Sequence, residues 1–367
     1  MTGDPTGDPT GAGDEDPTGA NDEDPTGADD EDPTGADEDT DGDGDDVPEV
    51  DPPPESATVI ATVAGPLAVD EAWVYVGPSG ASVPSRVPKS GGEPESLGTL
   101  AGPSVALLTV DEDFVYWSAG SVDMFAVRRV PKAGGSIELV TDENGPNLAA
   151  AQAIALDDTY VYLTMPDIFN SSFEQQQGSI RRIPKAGGSV EELSSDYSRV
   201  LAVGSGSVYW ARERSDGGAD LVRSDPDGGN TGVVLSEFGL ITDVSIAADR
   251  MYWVVDDAGQ QQVRSALVGE DPSTLVVQEI SEMSYITDAA VTETSFLWLQ
   301  PGGANSGAVF QLDLDGSTTQ LAMAPASSTL QTFGGPYGRR IVVDDDAAYW
   351  SYEGAQGGSE RIYRIAR

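Results

Sequence analysis

The sequence predicts an all-β protein, a single closed β-propeller of seven four-stranded blades over residues 57–367, preceded by a disordered acidic tail over residues 1–56. Three observations predict it. A short apolar-aromatic triplet recurs seven times, its middle residues 41 to 52 positions apart, the period of a four-stranded blade. Most copies are followed by a two-glycine or Asp-Gly turn, the signal for a tight hairpin. The first 56 residues hold 22 Asp and Glu with no Lys or Arg, half of the formal net charge of −44, and almost no apolar side chains.

The tail repeats Asp-Pro-Thr-Gly from Asp4, Asp8, Asp16, Asp24 and Asp32. Such a stretch cannot offset a chain entropy of roughly 1–2 kcal/mol per residue, so it is expected to stay unfolded as a self-repelling spacer. Asp37, Asp39, Asp41 and Gly42 match the opening of a calcium loop. Its twelfth position is Pro48 instead of a bidentate Glu, so calcium is only a weak expectation.

The triplets are Val74-Tyr75-Val76, Val115-Tyr116-Trp117, Val161-Tyr162-Leu163, Val208-Tyr209-Trp210, Met251-Tyr252-Trp253, Phe296-Leu297-Trp298 and Ala348-Tyr349-Trp350. A blade lies between two others and is covered on both faces, so its inner strands read as apolar runs; the triplets are therefore read as inter-blade core. Asp stands five residues before the Tyr in four copies, Asp70, Asp111, Asp157 and Asp344, and is expected to bond the N–H groups of its own turn. The first three repeats then share Arg-Val/Ile-Pro-Lys followed by two glycines two positions on, and Lys89, Lys132 and Lys185 are read as solvated turn residues.

The last repeat ends at its third strand, Arg361 to Arg367, while the first has an extra strand ahead of it, Ala57 to Val63. That strand is expected to complete the seventh blade and close the ring, with Val59, Ile60 and Val63 buried in the seam.

Composition narrows the chemistry. The chain has no Cys and no His, which removes disulfides, thiolate zinc, imidazole ligands and His-dependent nucleophilic triads. Paired carboxylates, lysine chemistry and oxygen-ligated metals survive. The acidic balance argues against nucleic acid, no apolar run reaches 18 residues, and the first residues lack the pattern of a signal peptide.

The triplet, the upstream Asp and the downstream Asp-Gly turn make residues 57–367 resemble the YWTD-type propellers of lipoprotein-receptor ectodomains and their bacterial relatives. The chain departs from that family in two ways. It has seven repeats where the receptors have six blades, and Thr follows the triplet only at Leu163-Thr164, without the next Asp. The resemblance implies an extracytoplasmic binding scaffold and names no ligand.

The loops that break the repeat carry the candidate site: Phe169 and Phe173 in blade three, Tyr285 between blades five and six, and Phe333 with Tyr337 before blade seven. Loop aromatics suit ligand anchoring, and they suit a plug folded over the channel equally well. Asn170-Ser171-Ser172 fits the glycosylation pattern, which is too short to weigh. The expected function is a monomeric, non-enzymatic, secreted or surface-tethered module for a protein or glycan partner, without a cofactor. The alternative is a hydrolase or lyase using two carboxylates, with or without calcium.

Overall fold

A computed structural model describes residues 57–121, 124–144, 150–166, 168–169, 175–176, 178–268, 276–279, 286, 288–300, 306–325, 340–352 and 360–367. Among them every regular element is a strand, and the strands form seven four-stranded antiparallel sheets plus one two-stranded ladder, Ile168–Phe169 with Gln175–Gln176. Six sheets are meanders in chain order, blade three having the two-stranded ladder inserted between its second and third strands. Blade one, for example, runs Leu67–Val69, Trp73–Val76, Ser85–Pro88, Glu95–Ser96.

The seventh sheet shows the closure. Thr58–Ala61 pairs antiparallel with Arg361–Ala366, outside Ala347–Tyr352 and Ile341–Val343. Ile60, Ala61 and Val63 are buried against Val74 and Val87 of blade one and Tyr349 and Ile362 of blade seven. Val59 departs from expectation. It is 41% exposed, beside a register shift in the ladder between Val59 and Ala61, so the seam rests on Ile60 and Val63.

Among the described residues the hydrophobic core forms seven clusters, one per interface between successive blades. Each triplet serves two of them. Val115 and Trp117 pack toward blade one while Tyr116 packs toward blade three, and Val208 and Trp210 face blade three while Tyr209 faces blade five. Alternation along a strand covered on both faces accounts for the unbroken apolar triplet.

Candidate functional site

The meander order fixes two faces. The turns joining first to second and third to fourth strands leave one face, and the second-to-third loops and blade-to-blade connectors leave the other. The first strands of all seven blades line a central channel of about 550 Å³. At its turn-face end each first strand contributes one aliphatic residue: Val69, Val110, Leu156, Val203, Ile246, Val291 and Val343. All seven are partly exposed and pack on the inner edge of an inter-blade cluster.

Outside this collar lies an inter-blade clasp. Asp70 Oδ1 accepts the N–H groups of Ala72 and Trp73 at 2.9 and 2.8 Å, and Oδ2 accepts the Tyr75 hydroxyl at 2.8 Å. The same Oδ2 pairs with Lys132 Nζ of blade two at 2.8 Å. Lys185 of blade three pairs likewise with Asp111 of blade two at 2.8 Å, and Lys89 of blade one pairs with Asp344 of blade seven. The reading of these lysines as solvated is thus corrected: each reaches the Asp of the preceding blade, and its side chain is 13–20% exposed. Burial pushes the Asp70 carboxyl up, but the Lys132 ammonium, the two N–H groups and the Tyr75 hydroxyl outweigh it and hold the group down to about 2. Asp111 and Asp344 are lowered by the same opposition of burial against their lysine and turn N–H groups.

The glycines of the turn place the lysine. Gly134 has φ +81°, and Gly135 N–H donates to Leu97 O of blade one at 3.0 Å. A Cβ on Gly134 would lie 3.2 Å from that same carbonyl oxygen, so glycine answers both the φ and the close approach. The Arg three residues before the Lys completes the unit. Arg86, Arg129 and Arg182 lie over Trp73, Phe114 and Tyr160 at 4.2–4.6 Å and bond Glu95, Glu138 and Glu191. Each also donates to a carbonyl of the next blade, Lys132, Lys185 and Pro226 respectively.

On the loop face the described residues concentrate around blade four. Glu237, 5% exposed, accepts Trp253 Nε1–H at 2.9 Å and pairs with Arg264 of blade five. Asp196 accepts Trp210 Nε1–H at 2.8 Å. Asp220 accepts Ser236 and pairs with Arg212 and Arg214 at 3.0 and 3.1 Å; burial raises its carboxyl and these partners lower it further, for a net shift downward. Because the Glu237 side chain turns inward and a Cβ on Gly239 would lie 2.3 Å from Asp256 O, the residue between them is forced outward: Phe238 is 91% exposed. Leu240 is exposed beside it in sequence, and on the preceding connector exposed Arg199 donates Nε–H to the Tyr197 hydroxyl at 2.7 Å and sits over its ring.

Of the aromatics singled out from sequence, Phe173, Tyr285, Phe333 and Tyr337 lie outside the described residues, as do Asp37, Asp39 and Asp41, and only the backbone of Phe169 is described. Phe238 was missed because its connector is short and breaks no repeat. The signal available was an aromatic between Glu and Gly at a blade junction. Carboxylates near the loop-face end of the channel are engaged structurally: Asp288 Oδ2 accepts the N–H groups of Arg340 and Ile341, and Asp243 accepts the Ser245 hydroxyl. Among the described residues no helix is long and apolar enough to cross a membrane.

Neither a protein-family model nor a curated protein matches this sequence. Solved structures match its fold. YCF48 bound to a D1 peptide is 13% identical, with 87% of this chain and 97% of that one covered at TM-score 0.52. A prolyl endopeptidase is 12% identical, with 84% of this chain and 50% of that one covered at TM-score 0.53. A nidogen/laminin complex is 17% identical, with 67% of this chain and 96% of that one covered at TM-score 0.47. At such identities the likeness is one of fold, here a seven-bladed propeller.

Proposed function

We propose that this propeller is a non-enzymatic, extracytoplasmic binding module of the YWTD-like kind that holds a protein or glycan partner on its loop face. Phe238 carries the reading. It stands almost fully in solvent on a connector whose neighbours on either side are locked by a buried ion pair and a close backbone approach, so it offers a large apolar surface with little ordering left to lose. A peptide complex among the structures of like fold is consistent with a propeller used for binding. Phe169, Phe173, Tyr285, Phe333 and Tyr337 are proposed as further anchors of the same face. Catalysis by paired carboxylates gains no support from Asp243 and Asp288, whose oxygens accept bonds that shape the channel end.

The test compares wild type with Phe238→Ser and with Val233→Ser, an exposed apolar residue on an outer strand, in quantitative capture of surface proteins and glycans from the native source. Phe238→Ser is expected to keep the melting temperature and weaken capture by roughly 1–2 kcal/mol or more, while Val233→Ser captures normally. Equal capture by all three removes Phe238 from the site. A companion melt with calcium and with a chelator checks the calcium expectation raised by the sequence, since an ion held only by the folded state raises the transition.

A further inference from the structure

The clasp between blades has four acceptors and three lysines. Asp157 repeats the arrangement of Asp70: Oδ1 accepts the N–H groups of Thr159 and Tyr160 at 2.7 and 2.6 Å, and Oδ2 accepts the Tyr162 hydroxyl at 2.6 Å. In blade four the residue at the position of the clasp lysine is Pro226. The equivalence is structural, because the carbonyl of Pro226 accepts Arg182 as the carbonyls of Lys132 and Lys185 accept Arg86 and Arg129. The turn therefore arrives in the same place with a side chain too short to reach the carboxylate. Asp157 is partly exposed and no cation pairs with it among the described residues.

We propose that Asp157, at the junction of blades three and four on the turn face and with its Oδ2 oriented by the hydroxyl of the buried Tyr162, forms a binding site for a primary alkylammonium group, such as the lysine side chain of a partner. The molecule displays the bound geometry itself. An ammonium 2.8 Å from the carboxylate oxygen that also holds the tyrosine hydroxyl lies 6.0 Å from the ring centroid in the Lys132 clasp; the Lys185 clasp has 2.8 Å and 5.6 Å. A guanidinium is broader and planar, and does not reproduce that point contact. The surrounding charge favours a cation. Glu71, Glu112, Asp158, Asp249, Glu293 and Asp345 are exposed on the first turns of six blades, and none forms an ion pair among the described residues. The site is on the face opposite Phe238, so it stands or falls independently of the loop-face reading.

Filling the site from within tests it. Pro226→Lys restores the lysine of the other blades, with Pro226→Ala as the control for the lost ring. Pro226→Lys is expected to melt about 2 °C above Pro226→Ala, and the gain should vanish when Asp157→Asn is added. The full chain is then titrated at low salt with three short labelled peptides that differ only at one position, Lys, acetyl-Lys or Arg, and with butylammonium as competitor. The Lys peptide is expected to bind about 10-fold more weakly to Asp157→Asn and to Pro226→Lys than to wild type, with acetyl-Lys and Arg peptides indifferent to both changes. Competition by butylammonium shows that the ammonium suffices; its failure, with the peptide differences intact, assigns the site to a peptide lysine. The acidic tail is common to every variant, so only the differences report on the site. Two results overturn the proposal: no coupling between Pro226→Lys and Asp157→Asn in the melts, or a Lys peptide that binds all variants alike. Phe238→Ser leaves these titrations unchanged, which keeps the two surfaces separable.

Discussion

Asp70 caps its own turn, orients Tyr75 and anchors the next blade through Lys132, all with two oxygens. Burial of this carboxylate is tolerable because every oxygen is occupied and the partner is charged. A pH dependence follows. The folded carboxyl is held at about 2 against 3.8 for the free group, so its contribution is complete above about pH 4 and is lost as the pH falls through 2. Asp111 and Asp344 are lowered in the same direction and add to the same acid-side loss. Lys132→Met removes the cation and retains most of the stem that covers Tyr75. It is expected to cost about 1 kcal/mol at pH 7, and denaturant titrations should show the gap to wild type closing between pH 4 and pH 2. A gap of constant size down to pH 2 would assign the loss to packing instead of charge.

At the scale of strands and turns, what could be read from sequence was what repeats locally. The triplets, the Asp turns and the two-glycine turns each state their structure within a few residues, because strand alternation and positive φ are local demands. The destination of Lys132 was not local: its partner lies in the preceding repeat. The signal was present as an offset, since the Pro-Lys turns of blades one, two and three follow the Asp turns of blades seven, one and two, and Asp157 is followed by a turn with Pro226. Phe238 escaped for the converse reason, as exposure depends on what Glu237 and Gly239 contact in blade five. The closing strand was legible as a surplus at one end matching a deficit at the other. Deleting residues 57–63 takes away Ile60 and Val63, roughly 1.5–3 kcal/mol each when fully buried, and leaves Arg361–Ala366 as an unpaired edge. The expected outcome is a loss of at least about 3 kcal/mol in denaturant titration, with self-association of the truncated chain. Wild-type stability after that deletion would mean that the ring is held by its blade interfaces without the exchanged strand.

For the whole molecule, closure makes each blade a neighbour of two others, and each of the seven interfaces buries a cluster that both of its blades would expose on opening. Stability thus belongs to the ring, and unfolding is expected as one cooperative transition in which calorimetric and van't Hoff enthalpies agree. The tail obeys other physics. Residues 1–56 offer acids, Pro, Gly and Thr and almost no apolar surface, so nothing in their composition can stabilise a packed contact against chain entropy. Deleting residues 1–50 should therefore leave the melting temperature of the ring unchanged. Near 0.15 M salt, charges more than about 8 Å apart are largely screened, which removes most of the repulsion that a segment of such charge exerts at low ionic strength. The measurement is accordingly made at both salt concentrations. A transition that rises at low salt only, on deletion, identifies long-range repulsion between tail and ring. A fall of several degrees at either salt would show that the tail packs on the propeller, and its reading as a spacer would have to be given up.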